Sequence, residues 1–357
     1  MVRSRKTNNQ GNNFNYRPIK VNIILAIITV TVFLLQTVIS CSPENQSGKN
    51  DADTSSVSIA DLFTEEQVWI APDSASIPQN DEGKIISYGR RLVIHTSKYF
   101  GPKGSIMQNT NGMNCQNCHL DAGTRPHGNN FGAVASTYPK IAARFGGLQT
   151  IATKVNDCFE RSMNGEAIDT NSKVMNAIIA YLKWLGKDVK KGETPAGSGG
   201  INAPHFISRA ADPEKGKLVY DQFCSRCHGK NGEGQFVVDV LKDETKQQGG
   251  SATTDDLYYY PPLWGAHSFN AVATLYRLSK FAGFVQSNMP YPMTYKNFVL
   301  TDEQAWDVAA YVNSLDRPIK DHSKDYVIDI SKKPYDFPFG PFADNFSETQ
   351  HKFGPYT

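Results

Sequence analysis

Cys115-Gln116-Asn117-Cys118-His119 and Cys224-Ser225-Arg226-Cys227-His228 repeat one pattern, Cys-x-x-Cys-His. The spacing carries a chemistry. Two thiols about one helical turn apart can add to the two vinyl groups on one edge of a porphyrin, and the adjacent histidine then reaches the iron as proximal ligand. A dithiol redox pair has no need of the histidine, and a zinc site needs two more ligands close by. By composition alone such a pentapeptide is expected on the order of once in several hundred chains of this length. Two copies therefore point to two covalently bound haem c groups.

Working outward, each motif sits in a similar helical unit. The first opens with a helical pattern near Ile85 to Tyr99 and closes with a helix at about Asn171 to Leu185, where Val174, Ile178, Tyr181, Leu182 and Leu185 share a face. The second opens at about Asp212, with Pro213 suited to a first turn and Leu218, Val219 and Phe223 as the apolar face. Its closing helix begins near Thr301 and aligns Ala305, Val308, Ala309, Val312 and Leu315. Period-two alternation is almost absent. The expected class is mainly α, with two cytochrome c-like helical domains in tandem, joined by long loops.

The remaining segments have distinct compositions. Lys187 to Ala203, rich in Gly, Lys and Ser, reads as a linker. The loop from Val237 to Gly265 has a polar half (Lys242 to Asp256) and an aromatic half (Tyr258 to Trp264) expected to pack over the second haem. From Pro318 onward, five prolines exclude a helix over most of the tail, while eight aromatics are too many to leave in water, so an extended strap across both domains is expected. The boundaries are 1–40 for a leader, 41–60 for a tether, 61–187 for the first domain, 188–205 for the linker, 206–316 for the second domain and 317–357 for the strap.

The leader follows from basic residues ahead of an apolar run, Val21 to Ile39, that ends in Ser40-Cys41. This resembles a bacterial lipoprotein signal, with Cys41 as the lipidated residue; an uncleaved anchor helix is the alternative. Both readings place the folded part in the cell envelope, periplasmic or at a membrane surface. The 357 residues suit two domains, and 39% apolar with 20% charged residues allows a core. The first 40 residues hold five bases and no acid, leaving 32 bases against 35 acids, net −3, from Cys41 onward. That balance has no footprint for nucleic acid.

Each iron needs a sixth ligand. With Cys41 lipidated and four cysteines in the motifs, Cys158 is left over, about forty residues after His119. There a small cytochrome domain places its distal ligand, and a thiolate is a strong, soft one; Met163 is the rival. Met289, in Asn288-Met289-Pro290, lies about sixty residues after His228 and just before the last helix, with Met293 as competitor. The first haem would then be His/Cys and low in potential, the second His/Met and higher.

These stretches also resemble a known family. Asn114 to Gly123, Tyr138-Pro139 and Asn156-Asp157-Cys158-Phe159-Glu160-Arg161-Ser162-Met163-Asn164-Gly165 are similar to the dihaem thiosulfate dehydrogenases and tetrathionate reductases. Pro262-Leu263-Trp264-Gly265, Ser268-Phe269-Asn270, Asn288-Met289-Pro290 and the tail segments Gly340 to Asp344 and Gln350 to Pro355 continue the likeness, which covers residues 80–357. The resemblance implies that Cys158 ligates a catalytic haem and Met289 an electron-transfer haem, with Arg144, Arg161 and Ser162 in substrate binding. Lys154 stands where an arginine is expected, which keeps the charge but not the bidentate fork.

The implied reaction joins two thiosulfates into tetrathionate with loss of two electrons, which pass to an external carrier (a cytochrome or a quinol-linked complex). Two dianions in one cavity repel, so cations must offset them; Arg144, Lys154 and Arg161 are candidates, with Arg125 a further one. Ser162 is either a sulfonate donor or a helix cap, and His127 is expected to pack near the first haem. A thiolate at Cys158 could also attack a sulfane sulfur by thiol–disulfide logic. The rival reading is a non-catalytic dihaem electron-transfer lipoprotein, and a haem peroxidase is a third.

Overall fold

The computed structural model describes residues 68–236, 258–293 and 295–357. The leader with Cys41, the tether and the polar half of the 237–265 loop lie outside the described residues. The main helices are α1 (Asp81–Ile94), α2 (Ile151–Arg161), α3 (Lys173–Leu185), α4 (Pro213–Phe223), α5 (Leu278–Asn288), α6 (Asp302–Ser314) and α7 (Glu348–Phe353). Two small antiparallel hairpins join them, β1 (Lys140–Ala142) with β2 (Gly147–Gln149) and β3 (Gln235–Phe236) with β4 (Tyr258–Tyr260). Among the described residues no helix is long and apolar enough to cross a membrane.

Helix starts follow their caps. Asn80, Ser172, Asp212 and Thr301 each accept a main-chain N–H from the first turn of α1, α3, α4 and α6. Such a cap satisfies one orphan donor and is worth ~1 kcal/mol. In each lobe the opening helix crosses the closing one at a glycine. A Cβ on Gly89 of α1 would collide with the Ala177 carbonyl of α3, and one on Gly216 of α4 with the Asp307 carbonyl of α6. The bare glycines let the backbones approach until side chains interlock.

Each crossing anchors a core. In the first lobe Leu92, Val93, Phe100, Phe159, Met175, Ile178, Tyr181 and Leu185 are all 4% exposed or less. In the second, Tyr220, Phe269, Phe281, Ala305, Trp306, Val308 and Ala309 play the same part. Burial of each large side chain is worth about 1.5–3 kcal/mol. Leu218 does not join them. It is 69% exposed, because Gly216, Val219 and Tyr220 form the face that meets α6.

Two helices carry weak sequence signals. In α2 only Ile151, Val155 and Phe159 repeat at helical spacing among charged neighbours; its start is a reciprocal cap in which Thr150 and Thr153 bond each other's main-chain N–H. In α5 the Leu278, Phe281, Ala282, Val285 spacing is interrupted by Gly283, which the Asn202 carbonyl approaches closely.

The linker and tail are built into the fold. Ala196 and Gly197 accept main-chain bonds from Trp69 and His127 at 2.8 Å each. The tail runs along both lobes: Lys320 donates to the Gly165 carbonyl, Tyr326 N–H donates to the Arg144 carbonyl at 2.7 Å, and Asp336 pairs with Arg277 while accepting from Ser279. The chain end returns to the second lobe, where the Phe353 carbonyl accepts from Ala211 and Tyr356 packs on Trp306.

Candidate active site

The two Cys-x-x-Cys-His motifs are seated alike. Cys115–Asn117 forms one tight turn, with Cys115 N–H donating to Thr96 Oγ1 at 3.0 Å and Asn114 Oδ1 accepting from Ser97 N–H at 2.9 Å. His119 Nδ1 is 2.5 Å from the Asn129 carbonyl. In the second lobe Ser225–His228 is a single helical turn, and His228 Nδ1 lies 2.9 Å from the Pro261 carbonyl. A carbonyl can only accept, so each Nδ1 carries the proton and each Nε2 keeps its lone pair for a metal. Burial also disfavours the imidazolium, pushing His119 down to about 4 and lowering His228. Neutral imidazole beside two thiols is the donor set that haem c requires.

Strain concentrates behind His119. Asp121, Ala122, His127 and Asn129 have φ of 55°, 59°, 56° and 57°, the left-handed region that non-glycine residues seldom enter. Tyr181 braces this loop through a 2.9 Å bond to the Ala122 carbonyl, and Phe131 stacks on His119 at 4.3 Å. The loop's shape is what aims the Asn129 carbonyl at the imidazole.

Over His119 opens a cavity of about 280 Å³. Cys115, Cys118, His119, Cys158, Ser162 and Met163 all line it. Part of its wall comes from elsewhere: Gly199, Gly200 and Ile201 of the linker, and Phe269, Ala273 and Leu275 of the second lobe. Cys158 lies in the last turn of α2, not in a loop, and Met163 just beyond it is 3% exposed. Both expected rivals therefore face the same space. Ser162 is the C-cap residue of α2, its N–H donating to the Cys158 carbonyl at 2.9 Å.

Charged groups gather on one side of Cys158. Lys154 Nζ is 2.8 Å from Asp157 Oδ2, and Arg161 Nε is 2.7 Å from Asp157 Oδ1. The Arg161 guanidinium also forks onto Asp325 at 2.9 and 2.8 Å. Arg144 lies 3.9 Å from Asp157 and 3.8 Å from Asp325. Three cations thus share two carboxylates, leaving one positive charge. Burial works against the charge on Lys154, but the neighbouring Cys158 and Asp157 outweigh it and raise its pKa. At Asp157 burial is likewise outweighed, by Lys154, Arg144 and Arg161, and its pKa falls.

The structure separates the candidate cations. Lys154 lines the cavity, whereas Arg144 and Arg161 stand behind the wall with their guanidiniums engaged by carboxylates. Arg125 is a correction to the substrate-cation expectation. It does not line the cavity but turns to the second lobe, donating to the Pro292 and Met293 carbonyls. His127 packs on Tyr295 at 4.2 Å. Sequence reasoning passed over Lys140, which lines the cavity beside Lys154 with its ammonium 4.6 Å from the Tyr138 ring. It also missed Asp157 and Asp325; the neighbour of Cys158 was open to notice, but Asp325 lies 164 residues from its partner.

In the second lobe Met289 ends α5 and packs against the core that also holds Cys224, Leu263 and Trp264. Met293 is 46% exposed. The aromatic half of the loop packs here, Tyr260 meeting His228 at 6.2 Å and Trp264 meeting Tyr220 at 5.0 Å.

Comparisons with known proteins agree with this architecture. Residues 213–316 match the cytochrome c family, and residues 105–190 match the SoxA/TsdA cytochrome c domain. Curated thiosulfate dehydrogenases are similar: that of Psychrobacter arcticus is 34% identical over 250 residues, 70% of this chain and 68% of the relative. Those of Thiomonas intermedia (34%; 69% and 70% covered) and Allochromatium vinosum (32%; 70% and 84%) stand close to it. The solved thiosulfate dehydrogenase TsdBA of Marichromatium purpuratum, in its as-isolated form, superposes with a TM-score of 0.61 at 29% identity over 70% of this chain. The match spans 50% of that solved chain. With two cytochrome c domains, each bearing the attachment motif of one covalent haem, and with relatives a third identical along two thirds or more of their length, the chain belongs to the thiosulfate dehydrogenase family.

Proposed function

We propose that the protein interconverts two thiosulfates and one tetrathionate in the cavity that holds Cys158, and exchanges the electrons with an external carrier through the second lobe. The reading rests on one observation: the Cys158 thiol shares its cavity with the attachment motif of the first lobe and with the ammonium of Lys154. His119 with Cys158, and His228 with Met289, would hold the two haems, which would supply one-electron acceptance at two different potentials.

The protein's own part is to gather anions and offer a sulfur. Lys154 and Lys140 draw the dianions in and offset their repulsion, and Ser162 donates to a sulfonate oxygen. Arg144 and Arg161, held by Asp157 and Asp325, keep the wall beside Cys158 positive without touching substrate. The Cys158 thiolate bonds to the sulfane sulfur of one thiosulfate, and two electrons leave as the S–S bond forms. A second thiosulfate attacks that sulfane sulfur; the new S–S bond completes tetrathionate and the Cys158–sulfur bond breaks, returning the thiolate. Atoms and charge balance in both directions, so the same residues serve tetrathionate reduction. A lipid on Cys41 would keep the protein on a membrane surface of the cell envelope, within reach of a cytochrome or quinol-linked partner.

The test is reduction of the purified ferric protein by thiosulfate alone. Bleaching of the ferric spectrum is expected, together with its loss in Cys158→Ala while both haems stay attached. A protein that stays oxidised in thiosulfate is an electron carrier, and the proposal fails.

A further inference from the structure

Arg125 follows His119 by six residues yet serves the other lobe. Its side chain is only 11% exposed, and Nη2 donates to the Pro292 and Met293 carbonyls at 2.7 Å each. Its guanidinium lies 4.9 Å from the Tyr291 ring, and Asp121 stands 3.6 Å away. Tyr291 Oη is 3.5 Å from Asp121 Oδ1. Nearby, the fully buried Asn288 donates to the His127 carbonyl at 3.1 Å, and the His127 ring packs on Tyr295. Residues 121–127 thus grip the 288–295 segment on both sides of Met289.

This grip needs an explanation. Arg125 is too enclosed for a solvated surface charge, and it lines no part of the cavity where an anionic substrate would sit. Two carbonyls that converge on one guanidinium are a fixed receptor for a permanent cation, and bonds to a charged donor are the stronger kind. Among the described residues, the gripped segment has no helix or strand of its own between Asn288 and Asp302. A thioether donor on such a segment stays in place only as well as the segment's tethers hold it. The tether's other end is the strained loop whose Asn129 carbonyl orients His119.

We propose that Arg125 is a positioning residue for the second haem: from the first lobe it latches the turn after Met289, and so sets how firmly the Met289 sulfur is presented and the potential that follows. The inference rests on the reading of Met289 as sixth ligand given above. It ties the ligand of one haem to the loop that seats the proximal histidine of the other.

The experiment compares the full dihaem protein with Arg125→Ala, Arg125→Gln and Arg125→Lys. Two readouts are taken, the near-red charge-transfer band that reports thioether ligation of ferric haem and the midpoint potential of each haem by spectroelectrochemical titration. Arg125→Ala should lose at least half of the band and lower the midpoint of the second haem only, with two haems still attached per chain. Arg125→Gln should follow it, and Arg125→Lys, which keeps a charged donor, should retain most of the band. Wild-type band and midpoints in Ala and Gln overturn the latch. Should the Ala variant fail to accumulate with two haems, the Gln and Lys pair decides, and equal bands in those two overturn it. A wild-type protein without the band overturns the thioether reading itself, and this inference with it.

Discussion

The two lobes seat their histidines in the same manner, Nδ1 against a main-chain carbonyl, and both cross their opening and closing helices at a glycine. They part company beyond the histidine seats. In the first lobe a charged helix brings Cys158 to an open cavity, with Lys154 in its wall and a cluster of ions behind. In the second, Met289 ends a helix whose buried residues are mostly apolar, packed against the core with Cys224. A shared scaffold thus carries a polar, open cavity in one lobe and apolar packing around Met289 in the other. Chemistry on anions needs the former.

Substitutions at five positions sharpen or break that contrast. Cys158→Ala should cut thiosulfate-driven reduction by about a thousandfold or more, the scale of losing a nucleophile. Stopped-flow absorbance would measure it, and an equal collapse of first-haem reduction in Met289→Ala would erase the distinction between lobes. Asp325→Ala leaves Arg161 and Arg144 short of a carboxylate that is 2% exposed. Breaking a buried pair costs about 3–5 kcal/mol, visible as a lower midpoint in chemical denaturation. Met289→Ala should leave single-turnover reduction of the first haem intact while steady turnover with an external acceptor falls about tenfold, as loss of the thioether lowers the second potential. Lys154→Ala should raise the KM for thiosulfate about tenfold and Lys140→Ala about threefold, with Lys154→Arg near wild type; a factor of ten is 1.4 kcal/mol of binding. Unchanged KM in both alanine variants would leave the first cavity no more anion-adapted than the second.

Much of this was legible in the sequence because the information was local. The attachment motifs, the caps at Asp212 and Thr301 and the faces of α3 and α6 are runs of adjacent residues obeying one periodicity. What escaped was distributed. Polar residues on α2 hid a helix whose apolar side is narrow, so the helix that carries Cys158 was not expected. Arg161 and Arg144 looked like free cations because Asp325 lies far along the chain, in a tail whose composition announced packing but not a partner. Arg125 has the right charge and the right neighbourhood for a substrate contact; only the path of the 288–295 segment shows where its donors point. Lys140 gave no pattern at all, being one lysine on a three-residue strand.

The cavity over His119 borrows Phe269, Ala273 and Leu275 from the second lobe and Gly199 to Ile201 from the connection between them. Cut at the connection, the amino-terminal half would keep its thiols and its histidine but lose a side of its chamber, leaving the macrocycle face open to bulk water. The pair is therefore one instrument, not two modules in series.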